Sequence, residues 1–418
     1  MEEKAKNQSR RNKTGSVMPL AVTMVIVLFL VGMGLLQVGF HARLQAILSS
    51  FQISARAAAD AGIAHALYEM NNKFDPNQPW DNTWLPPELT GTFPSSYGSA
   101  TYTCNVTGVL GTHQAVSVGT AGRGIKTVFG TFRLISRYDY ALIVEEGITL
   151  KAGTLIDGYN SNNPSDTDVF VKIGTISTEP GAIWLNNGVV VDGDVLVGFG
   201  GEPATVIKDL GATTGPRYPL PQDIELDMKT PPVGLPPGQP IVFDSNGVAT
   251  ITESGVYGSI ELPEGHVLRV GDGLNNVVDA VIYITGDLWL KHAAELRVTG
   301  DPALPSTWSS LTIYLDGMLT AGNSNGINNE TEKPGRFKLI GTGPEGLVWE
   351  IKNAGDFFGV FDAPNAHLII KQSADIYGAV IGKSFDLRES GNLYYDKDLT
   401  DPTLYGSMGF GLDRWWEQ

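Results

Sequence analysis

Four charged residues near predicted strand ends have the side-chain types needed for acid–base chemistry. Asp192, Asp194 and Asp209 offer carboxylates that could accept or deliver a proton, and Lys208 offers an ammonium group beside them. Acidic residues at strand corners are far more often solvated than catalytic, so we predict no enzyme activity and no catalytic residue. The six histidines are scattered, none forms an HExxH pair, and no GxxxxGK[ST] phosphate loop occurs.

Two loops rich in side-chain oxygens, residues 160–168 and 323–330, are candidates for calcium, which prefers about six to eight oxygen ligands. Neither has the glycine and terminal glutamate of an EF-hand loop, so an ordinary polar loop is the favoured interpretation. Cys104 is the only cysteine, which excludes an intrachain disulfide and a site built from several thiolates. We therefore predict no metal site and no cofactor.

The element that must position everything else is an uncharged, apolar run at residues 15–40. As a helix it would be about 39 Å long, enough to cross a hydrocarbon core of about 30 Å. A secretory signal peptide would have a shorter apolar region of about 7–15 residues. The run is therefore predicted to anchor the chain in a cell membrane as a single pass.

Charge around the apolar run predicts its orientation. The leader, residues 1–15, holds five basic and two acidic side chains, and few basic residues follow the run closely. We expect a cytoplasmic N-terminus and a periplasmic or extracellular remainder. The whole chain has a net charge of −16, so a leader of +3 leaves −19 for the rest. So acidic a surface argues against nucleic acid as a partner.

Residues 41–73 extend the apolar run as a helix, because they are rich in alanine and contain no proline. A single stripe at 4-3-4-3-4 spacing runs through Leu44, Leu48, Phe51, Ala55, Ala58 and Gly62. The side chains shrink along this stripe, which would let a sheet approach the helix closely. Residues 16–73 are thus predicted to form one continuous helix.

The next segments predict a small sheet on this helix. Residues 74–98 contain five prolines and read as a loop. Residues 99–137 alternate between apolar and polar side chains in three runs separated by glycine turns, which predicts three antiparallel strands. Together with the helix, residues 74–137 would form a small α+β head.

The large remainder, residues 138–400, is predicted to be mostly β, with short apolar runs bounded by Gly, Asp and Asn. Two aromatic–glycine pairs, Phe358-Gly359 and Tyr377-Gly378, recur at a spacing that suits one turn of a right-handed parallel β-helix. A β-sandwich is the alternative. Residues 215–240 hold eight prolines and predict an extended excursion within this region, and residues 401–418 are predicted to be a tail.

The N-terminal pattern resembles the class III signal of type IV pilins, because a short basic leader ends in Gly15 directly before an apolar helix. The Ala-Ala-Ala-Asp-Ala-Gly stretch at 57–62 is similar to PilX-type minor pilins. The resemblance implies that prepilin peptidase cuts between Gly15 and Ser16 and leaves the helix attached. Such pilins usually have Phe and Glu at the first and fifth mature positions, where this chain has Ser16 and Leu20.

The same resemblance implies that the helix both spans the inner membrane and packs against other pilins or pseudopilins. Seven positions are expected to form this membrane and assembly surface: Leu20, Val25, Leu28, Leu35, Leu44, Leu48 and Phe51. Residues 340–400 resemble an uncharacterised C-terminal domain of several PilX-like proteins. The leading hypothesis is a minor pilin or pilus assembly protein that displays a β domain for adhesion or tip function.

Two other interpretations stay open. A plain single-pass anchor also satisfies the length and charge of the apolar run. A membrane-tethered β-helix that binds or cleaves surface polysaccharide is the alternative function, since polysaccharide lyases cluster Asp with Arg or Lys on one face. The charged residues Asp192, Asp194, Lys208 and Asp209 would be its candidates.

Overall fold

The computed structural model describes residues 17–74, 81, 84–93, 99–109, 112–163, 165–166, 168–221, 223–273, 276–324, 326–353, 355–371, 375–389, 391–401 and 407–417. The chain divides into two compact units. The head consists of Met1–Leu134 and Gly409–Gln418, and the body consists of Ile135–Met408. With one long apolar N-terminal helix and a large sheet-rich body, the fold class is α+β, as predicted.

The helices are α1 (Val17–Lys73) and α2 (Pro203–Val206), with short 3₁₀ helices at Pro305–Thr307, Pro334–Arg336 and Lys397–Thr400. The strands of the head are β1 (Leu89–Phe93), β2 (Ala100–Val109), β3 (Thr112–Ala121), β4 (Gly124–Ser136) and β30 (Ser407–Glu417). Among the described strands, β1 is the first in the chain and β30 is the last.

The strands of the body run in chain order from β5 to β29: β5 (Leu142–Val144), β6 (Ile148–Leu150), β7 (Leu155–Tyr159), β8 (Val171–Thr175), β9 (Ile183–Leu185), β10 (Val190–Val191), β11 (Gly193–Val197), β12 (Ile207–Asp209), β13 (Thr213–Thr214), β14 (Arg217–Pro219), β15 (Val248–Ile251), β16 (Gly255–Tyr257), β17 (Ile260–Leu262), β18 (Val267–Val270), β19 (Asp279–Ile284), β20 (Leu288–Leu290), β21 (Glu295–Val298), β22 (Ser310–Leu315), β23 (Leu319–Ser324), β24 (Gly326–Asn329), β25 (Phe337–Gly341), β26 (Leu347–Asn353), β27 (Phe357–Ile370), β28 (Ile376–Leu387) and β29 (Leu393–Asp396).

The head sheet has the order β1-β2-β3-β4-β30, and its pairings from β1 to β4 are antiparallel. The three strands expected in residues 99–137 are confirmed as β2, β3 and β4. Two further strands depart from the predictions. Leu89–Phe93 forms β1 within the segment predicted as a loop, and Ser407–Glu417 forms β30 where a tail was expected. The sheet partner of β30 precedes the whole body in the chain, so no local pattern could reveal the pairing.

The upper half of α1 packs on this sheet through small residues, as the shrinking stripe predicted. Ala55, Ala58 and Ala59 are fully buried. Opposite them, Gly119 on β3 lies so close that an added Cβ would overlap the carbonyl oxygen of Ala55. The close approach of helix and sheet therefore needs alanine on one side and glycine on the other.

Every strand pairing described within the body is parallel. The first ladder has the spatial order β16-β19-β22-β25-β27-β28-β5-β8-β11-β14. The second ladder has the order β17-β20-β23-β26-β27-β28-β6-β9-β12, so the long strands β27 and β28 belong to both. Two shorter ladders are β28-β29-β7-β10-β13 and β15-β18-β21-β24.

Period-2 alternation explains the core of the second ladder. One row of paired side chains is buried in every strand: Ile260, Leu288, Leu319, Trp349, Leu368, Phe385, Ile148, Ile183 and Ile207. The next position in each strand forms a row that points outward: Glu261, Trp289, Thr320, Glu350, Ile369, Asp386, Thr149, Trp184 and Lys208. Each buried large aliphatic side chain contributes about 1.5–3 kcal/mol, so the inner row is a main source of stability.

The two aromatic–glycine pairs identified in the sequence lie side by side in neighbouring strands. Phe358 pairs with Tyr377 and Gly359 pairs with Gly378 in the β27–β28 register. The Phe358 and Tyr377 rings stack with centroids 4.5 Å apart. Gly378 has a φ of +143°, which glycine adopts without strain, and an added Cβ would overlap the Gly359 carbonyl oxygen.

The order of strands along the first ladder differs from their order in the chain. The chain joins the ladder in its interior at β5 and runs through β8 and β11 to one end at β14. It then returns to the opposite end, at β16, and runs back toward the interior, where β28 pairs with β5. The last strands of this path therefore lie directly beside the first.

The return is made by the proline-rich segment, residues 220–240, which we call the return segment. The excursion predicted at 215–240 begins later than expected, because Arg217–Pro219 still forms β14. Its far end, Pro237, forms a parallel bridge to Val256 of β16. The path from β14 to Pro237, one strand beyond β16, is about ten ladder steps of about 4.8 Å, or about 48 Å. About 17 extended residues reach about 53 Å, so the chain must be extended here.

Candidate membrane and assembly helix

The lower half of α1 is apolar on all sides. The helix contains the only described segment long and apolar enough to cross a membrane, with a mean hydropathy of 2.5 over its most apolar window. Pro19 lies in the first turn, where a missing N–H removes no intrahelical hydrogen bond. Thr23 Oγ1 lies 2.9 Å from the Pro19 and Leu20 carbonyl oxygens, which satisfies its hydroxyl within the helix.

The seven predicted membrane and assembly residues fall into two groups. Leu20, Val25, Leu28 and Leu35 are between 63% and 71% exposed, so their apolar surface has no cover from the described residues. Leu44 and Leu48 are 41% and 43% exposed, and Phe51 is half-buried. The apolar side chains of α1 are thus uncovered at Leu20 and become progressively more buried toward Phe51, where the head sheet packs on the helix. Gly15 and Ser16, the predicted cleavage positions, lie outside the described residues.

The point where the stripe meets the sheet is built around Phe51. Gly124 of β4 lies close to the Phe51 carbonyl, where an added Cβ would be 2.6 Å from the oxygen. Gly122, in the β3–β4 turn, has a φ of +53° and faces the Phe51 ring. The turn therefore needs glycine for its backbone conformation and for space above the ring.

Sequence reasoning missed the contacts that α1 makes with the C-terminal strand. Arg56 Nη1 lies 2.6 Å from Glu417 Oε2, and the Arg56 guanidinium lies 4.8 Å from the centre of the Trp415 ring. Lys126 of β4 also pairs with Glu417, and its hydrogen bond lowers the pKa of that carboxyl. The aromatic and acidic residues near the C-terminus were the only available signal, and they did not indicate a partner.

A second contact fixes the other part of this strand. Asn71 Nδ2 donates to the Phe410 carbonyl at 3.0 Å, and the Phe410 N–H donates to Asn71 Oδ1 at 2.6 Å. The amide of Asn71 therefore satisfies both backbone groups of Phe410, as a neighbouring strand would. Phe410 itself is buried in the head core.

The four charged residues considered for acid–base chemistry do not share one contact. Asp194 accepts a hydrogen bond from Tyr218, while Asp209 pairs with Arg217 at 2.7 Å and accepts two backbone N–H bonds. The backbone N–H of Ala212, followed by the Arg217 and Gly211 hydrogen bonds, lowers the pKa of Asp209 to about 2. Lys208 Nζ lies 3.6 Å from the centre of the Trp184 ring, and Asp192 is in the bend before β11. We therefore find no acid–base arrangement among these four residues.

One chemical motif was overlooked at the sequence level. Residues 322–326 read Gly-Asn-Ser-Asn-Gly, which has the GxSxG spacing of a hydrolase nucleophile turn. That motif requires a turn from a strand into a helix. Here Gly322 and Ser324 lie in β23 and Gly326 begins β24, so the described residues of the segment show no turn from a strand into a helix.

Two lysines bind oxygen atoms of the oxygen-rich loop at residues 160–168. Lys333 Nζ donates to the Ser161 carbonyl, and Lys397 Nζ lies 2.9 Å from Asp166 Oδ2. Among the described residues, no group of three or more His, Cys, Asp or Glu side chains is arranged to hold a metal ion. The second loop, 323–330, is only partly described.

The fold and the helix define a class of protein: a membrane-length helix that carries an α+β head, with a large sheet-rich body inserted before the last strand of the head. Residues 244–402 match the model of a family described as a domain of unknown function, DUF7305. The matched stretch includes β15 to β29, which is the part of the body that follows the return segment.

Curated proteins and solved structures were also compared with the chain. No curated protein matches it. Among solved structures, it is similar to the competence-associated pilin ComZ from Thermus thermophilus, with 12% identity and a TM-score of 0.28 over 88% of this chain and 98% of that chain. A TM-score this low carries no argument about fold or function.

Proposed function

We propose that the protein is a pilin-like minor subunit of a type IV pilus or a related secretion filament. The observation that carries the proposal is the division of α1 into a bare apolar half and a half buried under an antiparallel sheet. The bare half would first span the inner membrane and then pack against other pilins or pseudopilins. Prepilin peptidase would release it by cutting between Gly15 and Ser16, with the N-terminus in the cytoplasm.

The body supports display outside the cell. Its parallel ladders, with a buried row repeated from strand to strand, favour a parallel β-helix over the antiparallel pairing of a β-sandwich.

Trp289, which is 50% exposed, and Trp184 share one outward row of the second ladder. Exposed tryptophans are common at binding surfaces, so this row supports adhesion or tip function. In this proposal the protein works by assembly and binding, without catalysis.

Site-directed crosslinking tests the assembly claim. Cysteine at Leu28 or Leu35, on the bare half of α1, should form crosslinks to other filament subunits. The native chain, whose Cys104 is buried in the head, is the matched control and should form none. Absence of crosslinks from both lower positions would leave the alternative function, a membrane-tethered β-helix that binds or cleaves surface polysaccharide.

A further inference from the structure

The two chain crossings between head and body lead into strands in the interior of the ladders. The incoming crossing follows Leu134 and enters β5, which lies between β28 on one side and β8 on the other. The outgoing crossing begins at β29, which lies between β28 and β7. Each strand that joins the body to the head is therefore hydrogen-bonded along both edges.

A body wound in simple chain order would have the opposite arrangement. Its first and last strands would be the end strands of the ladders, each paired on only one edge. Tension on such an end can open hydrogen bonds one strand at a time. Here the two ends of the first ladder, β14 and β16, are joined to each other in the chain by the return segment, and residues 236–238 of that segment also pair with the outer edge of β16.

Two side-chain hydrogen bonds hold the incoming and outgoing crossings beside each other. Ser136 Oγ donates to the Leu399 carbonyl at 2.8 Å, and Tyr395 Oη donates to the Tyr138 carbonyl at 2.5 Å. Both bonds connect the incoming crossing to the outgoing one. They are buried, so water does not compete for them.

The incoming crossing is also bound to the long strand β27 and to the return segment. Arg137 forms two hydrogen bonds to the Asp362 carboxylate, at 2.6 and 2.7 Å, and Tyr138 Oη donates to Asp362 at 3.1 Å. Arg137 Nη2 also donates to the Asp227 carbonyl of the return segment at 2.6 Å. We call this group of contacts, centred on Asp362, the central clamp.

We propose that the body is built to carry tension between the head and whatever the body binds. Force from the head would act on β5 and β29, each of which is hydrogen-bonded along both edges. The Ser136–Leu399 and Tyr395–Tyr138 bonds would hold the two crossings together, and the central clamp would hold the incoming crossing to β27. This inference rests on the proposed function, because only a surface-displayed subunit would experience such tension. It adds a mechanical role for the clamp residues Arg137, Tyr138 and Asp362.

Single-molecule force measurements on the purified full-length protein test the proposal. Handles attached to cysteines at Arg133 and Met318 load the incoming crossing, and handles at Asp413 and Met318 load the outgoing crossing. A pair at Leu210 and Met318 is the matched control, because Leu210 follows the end strand β12. All four side chains are exposed, while the native Cys104 is buried.

The two crossing pairs should require about twofold or more force for first rupture than the control pair, since forced unfolding follows the barrier to strand separation. Arg137→Lys, which keeps the charge but loses the two-pronged geometry, should lower the force for the incoming crossing. Arg217→Lys, at an ion pair on the end strand β14, should leave that force unchanged.

If either crossing pair ruptured one strand at a time and at the same force as the control pair, the inference would be overturned. An Arg137→Lys variant that loses thermal stability but keeps its rupture force would also overturn the mechanical role of the clamp. The measurement needs no filament and no processing, so its failure is distinguishable from failure of the proposed pilin function, which crosslinking tests separately.

Discussion

Arg137 and Asp362 form a buried two-pronged ion pair, although they lie far apart in the chain. Their nitrogen–oxygen distances are 2.6 and 2.7 Å, and their side chains are 5% and 0% exposed. Burial alone would lower the pKa of Arg137, but the neighbouring carboxylate of Asp362 raises it on balance. The pair joins the incoming chain to a long strand at the middle of the body.

Removing one partner of this pair should strongly destabilise the body. Arg137→Met removes both charged hydrogen bonds from the buried Asp362 carboxylate, and breaking a buried ion pair in this way typically costs about 3–5 kcal/mol. Urea unfolding of the purified protein measures the change. Arg388→Met is the control, because the Arg388–Asp386 pair is largely exposed and should contribute at most about 1 kcal/mol. Equal losses in the two variants would contradict the importance of the buried pair.

The close packing of the head predicts the effect of one added methyl group. Gly119→Ala places a Cβ against the Ala55 carbonyl, and the backbone must shift to make room. Overpacking of this kind costs about 1–3 kcal/mol. Hydrogen exchange of the head amides should become faster. Gly258→Ala, where the added Cβ meets no atom within 4 Å, should change nothing; unchanged protection in Gly119→Ala would show that helix and sheet are less tightly packed.

Lys338 predicts a pH dependence of body stability. Burial lowers the pKa of Lys338 to about 8 from its ordinary 10.5; Asp362 partly offsets this shift, and nearby cations add to it. The unfolded chain therefore binds more protons between these values, so stability should rise as the pH increases from about 8 toward 10.5. Lys338→Met should remove this rise and add up to about 3 kcal/mol at pH 7. A variant that keeps the same rise in urea unfolding would exclude Lys338 as its source.

The two hydrogen bonds between Asn71 and Phe410 predict that Asn71 holds the C-terminal strand β30 to α1. Asn71→Ala removes both hydrogen bonds to the Phe410 backbone and should cost about 1–3 kcal/mol. Limited proteolysis should then cut near residues 407–417 before other sites. Asn72→Ala, at the exposed neighbouring position, is the matched control and should keep the resistance of the native protein. Equal resistance in the two variants would show that other contacts hold the strand.

The sequence predicted much of the head, because its signals are local. Alanine content and the stripe from Leu44 to Gly62 predicted α1, and alternation predicted β2 to β4. The position of β30 depends on a partner on the far side of a whole inserted body. Its contacts with Arg56 and Asn71 join the two ends of the chain, which no single-sequence pattern reports.

The body shows a similar division. The regular spacing of Phe358 and Tyr377 predicted that they would lie side by side, and they pair directly in the β27–β28 register. The prolines of the return segment predicted an extended chain but not its destination. Pairing of β28 with β5 closes the path across nearly the whole body, and Arg137, just before β5, pairs with the buried Asp362 carboxylate.

The central claim, processing and assembly as a pilin-like subunit, is tested most directly by the N-terminus of the mature protein. N-terminal sequencing of protein isolated from its native membrane should give Ser16 as the first residue. Gly15→Val should block this cut and filament incorporation, whereas Gly39→Ala, at an open position in the same helix, should leave both intact. A mature N-terminus that still begins before Ser16 would contradict the account.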